Sequence, residues 1–382
     1  MATVSATGEE LTLGRKLLLL NWPLVLLLCL ISAIGVGMLY SAGGGSWEPW
    51  AMRQIMRLGA ALVLMLVVAL IDIRFWLRYA YAIYFASAAL LVGVEVAGAT
   101  GMGAQRWIDL GVVRLQPSEL MKIALILGLA RYFHGISIED VGRPSRLLAP
   151  VLMTLVPAFL VLRQPDLGTA VMLVIAGATV FFVVGVRLWK FAAVGVLGLA
   201  AMPVVWSFLR PYQRQRILTF FDPETDPLGA GYHILQAKIA LGSGGVFGKG
   251  YMQGSQAHLD FLPERQTDFI FTMLAEEFGL IGGLEVLALF LMLFAYGLAI
   301  ALRIRNQFGR VVALGVTMTV SLYVSLNIAM VMGLVPVVGA PLPLISYGGT
   351  ALLSVMVGYG LLLSASLGKD TVIGKSPPFD DF

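Results

Sequence analysis

Phe261-Leu262-Pro263-Glu264-Arg265-Gln266-Thr267-Asp268-Phe269-Ile270-Phe271 brings carboxylates and a guanidinium up against a segment that stays predominantly apolar to Leu302. A helix needs about 20 such residues to cross the hydrocarbon of a bilayer. Residues 268–302 therefore read as a membrane span, with Asp268 where water gives way to hydrocarbon. Keeping an ionisable group at that depth is costly, and function is the usual reason for it. The structural alternative is that Asp268, helped by Thr267, caps the helix that follows.

The rest of the chain repeats the pattern. Of 382 residues, 59% are hydrophobic and only 13% charged, and the mean hydropathy is +0.88, which excludes an ordinary soluble domain. The apolar runs predict an all-α polytopic integral membrane protein of about ten transmembrane helices. These fall at 18–40, 54–71, 77–97, 118–133, 147–162, 168–186, 189–209, 268–302, 311–335 and 345–367. Residues 1–368 read as one membrane domain, with a large extracytoplasmic loop, 210–267, between the seventh and eighth spans, and 369–382 as a disordered cytoplasmic tail.

Arg15, Lys16, Arg74, Arg78, Arg131, Arg143, Arg146, Arg187, Lys190, Arg303, Arg305, Arg310 and Lys369 collect on one side of that topology. Basic short loops mark the cytoplasmic face, so both termini are expected inside. The net charge of +4 is then a topology signal and gives no ground for a nucleic-acid partner. A single cysteine, Cys29, offers no disulfide framework. His134, His233 and His258 lack metal-ligand spacing, which sets aside metalloprotease and serine-hydrolase readings.

Arg53, Glu119, Lys122, Arg163, Asp166 and Asp268 fall near the outer ends of the expected spans. Each also has a bland reading. Glu119 and Lys122, three apart on a helix, satisfy each other; Asp166, after Pro165, caps the next helix; Glu276 and Glu277 join a buried network with Lys or Arg. Trp107, in the mixed segment 100–117, suits headgroup depth. After an expected helix at 231–241, Gly242-Ser243-Gly244-Gly245-Val246-Phe247-Gly248-Lys249-Gly250 invites comparison with a phosphate-binding loop. The spacing fails, with Ser243 in place of the first Gly and Gly250 in place of Ser or Thr. The stretch reads as a flexible turn cluster whose Lys249 can still meet an anionic group. Gly279-x-x-x-Gly283 reads as helix packing. The breaks between Pro336 and Thr350 place irregular backbone at membrane depth, where it must be buried in protein or line a cavity.

Four motifs in this order resemble the SEDS family (shape, elongation, division and sporulation). They are Gln105-Arg106-Trp107-Ile108 with Gln116-Pro117-Ser118-Glu119-Leu120-Met121-Lys122; Gln164-Pro165-Asp166-Leu167-Gly168-Thr169; Asp260-Phe261-Leu262-Pro263-Glu264 with Thr267-Asp268-Phe269-Ile270-Phe271; and Pro341-Leu342-Pro343-Leu344-Ile345-Ser346-Tyr347-Gly348-Gly349. The resemblance implies a peptidoglycan glycosyltransferase of the bacterial cytoplasmic (inner) membrane that polymerises lipid II at an outward-facing site during cell elongation. It implies as partners a class B penicillin-binding protein and other elongation-complex proteins. Asp268 becomes the essential carboxylate, with Arg53, Trp107, Glu119, Lys122 and Asp166 in its functional or supporting shell and Glu264 beside it in the motif. Gln266 departs from the many relatives that carry His there, which shifts weight onto Asp268. As general base, Asp268 takes the proton of the acceptor hydroxyl. Departure of the pyrophosphate is helped by Arg53, Arg106 or Lys249, or by a divalent cation, Mg or Mn, held partly by carboxylates. The alternative is a lipid II transporter (flippase), which needs charges through the midplane and at both mouths.

Overall fold

The computed structural model describes residues 12–374 apart from 98, 102–103, 110–113, 138, 165, 209–210, 223–229, 260, 263, 338 and 372. The expected tail beyond 374, Pro165, Asp260 and Pro263 lie outside those residues. The helices are α1 Leu13–Leu19, α2 Trp22–Ala42, α3 Ala51–Leu70, α4 Ile73–Ala97, α5 Pro117–His134, α6 Pro144–Arg163, α7 Leu167–Val183, α8 Leu188–Phe208, α9 Pro211–Phe221, α10 Ala230–Ser243, α11 Ser255–His258, α12 Ile270–Arg303, α13 Gln307–Val331 and α14 Gly349–Leu367.

Seven of them, α2, α3, α4, α6, α12, α13 and α14, are long and apolar enough to cross a membrane. The other three expected spans fall on α5, which carries Glu119, Lys122 and Arg131, on the 17-residue α7, and on α8, apolar over Leu188–Pro203. Almost every residue of α5 is buried, because α4, α7, α13 and α14 all pack against it. A helix packed by this many neighbours lies inside the bundle, so its buried Glu119 and Lys122 must find partners there.

One small sheet departs from the all-α expectation. β1 Ala99–Gly101, β2 Ala104–Asp109 and β3 Arg114–Leu115 pair antiparallel in that order. The register shifts between Ala99, opposite Trp107, and Thr100, opposite Gln105, which leaves Arg106 as the extra residue on β2. Hydrophobic alternation is too short here for the sequence to announce strands.

The second departure concerns α12, expected as one span over 268–302. At Gly279 the backbone leaves the helix, with φ 69° and ψ −162°, a left-handed φ that glycine adopts without strain. An unbroken helix of 34 residues would be about 50 Å long, well beyond the roughly 30 Å of hydrocarbon. On α13, Asn327 lies twenty residues, about 30 Å, from Gln307, yet its amide reaches Asp268. Since α12 and α13 are joined by the short turn 304–306, Asp268 reaches that level only if residues 270–278 turn back. The Phe271 ring accordingly lies 3.6 Å from where a Cβ on Gly283 would sit. Residues 280–303 form the long limb, and the Gly279/Gly283 spacing marks a fold-back of one helix on itself.

Candidate active site

The chain before α12 is a tight turn built around Glu264, itself at φ 54°. Its carboxylate accepts from Thr267 Oγ1 at 3.0 Å and Gln266 Nε2 at 3.3 Å, and its carbonyl accepts from Thr267 N at 3.0 Å. Glu264 thus shapes the turn that presents Asp268. The helix cap position falls on Phe269, which offers no side-chain cap.

The broken segment 336–348 grips this turn from the other side. Ser346 Oγ donates to Thr267 O at 2.6 Å and accepts from Leu342 N at 2.7 Å, while Tyr347 N donates to Gln266 O at 2.8 Å. The fully buried Asn327 donates through Nδ2 both to Asp268 O at 2.9 Å and to Ala340 O at 2.7 Å. From α3, Gln54 Nε2 donates to Ser346 O at 3.3 Å. Backbone groups that an irregular segment frees are therefore satisfied by side chains, as apolar surroundings require. The half-buried Asp268 carboxylate lies against this segment, with Oδ2 3.6 Å from where a Cβ on Gly339 would sit.

Against the broken segment opens a mainly apolar cleft, whose lining includes Glu119, Lys122, Tyr323, Leu344, Ser346 and Ser354. Lys122 Nζ pairs with Glu119 Oε1 at 2.7 Å and lies 4.2 Å from the Tyr323 ring centroid, and Ser354 Oγ donates to Glu119 Oε2 at 2.9 Å. A pair this buried persists only because each charge has several partners. Tyr323 and Asn327, four apart on α13, share a helix face. Ser346 joins the two regions, because it lines the cleft and bonds the Asp268 turn.

Asp166 Oδ1 accepts from Thr169 N at 3.1 Å, which makes it the α7 cap, and Oδ2 accepts from Gln116 Nε2 at 3.4 Å and faces Arg106 Nη1 at 3.6 Å. Arg106 also donates from Nε to Gln164 O at 3.1 Å, locking β2 onto the α6–α7 junction. Trp107, the next residue on β2, is half-buried. Arg163 pairs with Glu95 at 3.1 Å.

Two expected site residues are occupied elsewhere. Arg53 pairs at 3.7 Å with Glu48 in the open. Lys249 Nζ lies 2.7 Å from Glu276 Oε1, on a carboxylate that is 0% exposed, and donates to Ser255 Oγ at 2.8 Å. The buried network expected for Glu276 exists, with Lys249 as its cation. The stretch 242–250 is no loose turn, since its backbone bonds to α12. Nearby, burial pushes the Tyr251 phenol up, with Glu277 and Tyr40 adding to the shift.

The sequence did not single out the neutral groups Gln54 and Asn327, nor Arg57, whose guanidinium sits 4.5 Å over the Tyr347 ring, and it gave Ser346 and Tyr347 only as members of a motif. An amide inside an apolar run was the available signal for Asn327. Among the described residues, no group of three His, Cys, Asp or Glu side chains converges as a metal cage.

The starts of α3, α5, α7, α12 and α14 and the end of α13 all meet here. Fold and site define a polytopic helical membrane protein with a mainly apolar cleft, lined in part by the Glu119–Lys122 pair and joined through Ser346 to the Asp268 turn. The family described as cell cycle protein FtsW/RodA/SpoVE matches residues 15–370, and the chain belongs to that family. It is 46% identical over 346 residues to the peptidoglycan glycosyltransferase MrdB of Escherichia coli K12, covering 90% of this chain and 92% of that one. With stage V sporulation protein E of Bacillus subtilis identity is 36% over 355 residues, 90% of this chain and 96% of that one. A chain solved in work on polymerisation and crosslinking by a peptidoglycan synthase complex superposes with a TM-score of 0.79 at 34% identity, covering 92% of this chain and 99% of that one. For the rod shape determining protein RodA of Thermus thermophilus the TM-score is 0.69 at 30% identity, covering 92% and 97%.

Proposed function

We propose that this protein is a peptidoglycan glycosyltransferase that polymerises lipid II at the outer face of the bacterial cytoplasmic membrane. The observation that carries the activity is the 46% identity, over 90% of the chain, to a protein named for it. We read the helices as ten spans, counting α5, α7 and α8, with both termini inside and the Asp268 end of the cleft outside. Basic short loops at the opposite end support that orientation. A class B penicillin-binding protein is the partner, in keeping with the synthase complex that a similar chain serves.

In the reaction, a sugar hydroxyl of one lipid-linked molecule attacks the anomeric carbon of another. A new C–O bond forms as the bond to the pyrophosphate breaks, with inversion, and Asp268 takes the hydroxyl proton. The clamp of Asn327 and Ser346 on the backbone of the turn supplies the fixed geometry that proton transfer needs. The apolar cleft suits a lipid tail. Of the cations, Arg53 and Arg57, one turn apart on α3, are our candidates to meet the departing pyrophosphate, since the exposed pair of Arg53 with Glu48 is given up more easily than the less exposed pairs of Arg106 and Lys249. A divalent cation that travels with a pyrophosphate needs only one or two protein carboxylates, the phosphates supplying further ligands. Asp268 and Glu264 are oxygen ligands of that type, and such an ion would offset the charge of the leaving group.

The test incubates purified protein with labelled lipid II and divalent cation, alone and with a transpeptidase-blocked partner. Strands are expected from wild type and not from Asp268→Ala; equal strand synthesis by the variant would remove Asp268 from its role.

A further inference from the structure

The stretch 242–250 and Lys249 take no part in the chemistry above, yet they meet α12 at its break. A continuous helix would bond Leu280 N–H to the Glu276 carbonyl and Ile281 N–H to the Glu277 carbonyl. Instead, Leu280 N donates to Gly245 O at 2.9 Å and Ile281 N to Val246 O at 3.2 Å. The two freed carbonyls are taken by Lys249 N, 3.0 Å from Glu276 O, and Gly250 N, 2.9 Å from Glu277 O. Two helical bonds are replaced by four to an inserted length of chain, so these four backbone groups keep partners at the break.

The insertion is close enough to demand glycine. A Cβ on Gly248 would sit 2.1 Å from Glu277 O, and one on Gly279 2.3 Å from Gly248 N. Side chains then lock it. Glu276 Oε1 meets Lys249 Nζ at 2.7 Å, Gln256 N at 3.0 Å and Ser255 Oγ at 3.2 Å, and Ser41 Oγ of α2 donates to Glu277 Oε1 at 2.5 Å.

We propose that the loop 244–250 is a wedge that holds α12 folded back at Gly279 and thereby places Asp268, with Lys249 a positioning residue and not a ligand of the leaving pyrophosphate. The proposal rests on the reading of Asp268 as base. If the wedge leaves, Glu276 and Glu277 can regain their helical donors. The helix then straightens and carries Asp268 away from Asn327 and the broken segment.

The test has two arms on the full chain with Cys29 replaced by Ser. In the first, nitroxide labels on cysteines at the exposed positions Phe261 and Leu302 report the distance across α12. Gly279→Ala should lengthen it by about 10 Å as the nine-residue limb swings out. In the second, lipid II polymerisation is measured for Gly279→Ala, Lys249→Met and Lys249→Arg. The first two should lose roughly 100-fold in kcat per folded protein, with KM within about twofold, as expected for a misplaced group, and Lys249→Arg should recover most of the loss. A wild-type distance in Gly279→Ala with wild-type turnover overturns the wedge, and so does lengthening without loss of turnover. A raised KM at unchanged kcat in Lys249→Met would make Lys249 a substrate ligand instead. Should Gly279→Ala fail to assemble, Lys249→Met carries both arms. An active Asp268→Asn variant would remove the base and leave the distance result standing, so the two failures are separable.

Discussion

Two aspartates stand before helices in this molecule, Asp166 before α7 and Asp268 before α12, and a backbone grip distinguishes the second. The Asp166 carboxylate is the point of attachment: it caps α7, faces Arg106 and accepts from Gln116. At Asp268 the grip falls on the backbone, through Asn327 on its own carbonyl and Ser346 on that of Thr267. Bonds on the oxygens of Asp166 hold a helix start, whereas the bonds on the backbone at Asp268 fix where its turn sits. The Glu119–Lys122 pair belongs with Asp166, because its oxygens are tied to Lys122 and Ser354.

The contrast can be broken from either side. The largest effect on stability is expected from Lys122→Met, which strands a buried carboxylate and should cost about 3–5 kcal/mol in thermal unfolding. Adding Glu119→Gln should recover much of that loss. Asn327→Leu should leave the fold standing and cut kcat roughly 100-fold with little change in KM, because the Asp268 turn loses its clamp. Asp166→Ala should cost about 1–2 kcal/mol, a cap-sized loss, seen as a lower melting temperature. The smallest change is expected from Arg53→Ala, whose exposed pair contributes at most about 1 kcal/mol to stability. A rise in KM for lipid II in that variant would then report contact with substrate.

Much of this was legible in the sequence where one residue type has one cheap solution. Apolar runs placed the helices, the i, i+3 spacing paired Glu119 with Lys122, and Pro165-Asp166 announced a cap. What stayed hidden depends on partners far along the chain. The break at Gly279 is not decided locally, since glycines at 279, 282 and 283 also suit close helix packing and the bonds that sustain the break come from 245–250. The same distance hid the use of the glycine cluster, which resembles a failed phosphate loop until α12 is laid against it. Asn327 and Gln54 carry no charge to mark them, and Ser346 stands in its motif without a role, whereas this turn is held by neutral donors bonding backbone carbonyls. The cationic head of Lys249 suits a pyrophosphate in sequence, and its pairing with the buried Glu276 shows only in three dimensions.

The most direct measurement compares Asp268→Asn with Asp166→Asn at saturating lipid II, with melting followed on the same samples. If Asp268 is the base, its variant loses roughly 10²- to 10⁴-fold in turnover while melting like wild type, and Asp166→Asn shows its loss in melting temperature. Wild-type turnover in Asp268→Asn, or a loss there that merely tracks unfolding, would contradict the assignment.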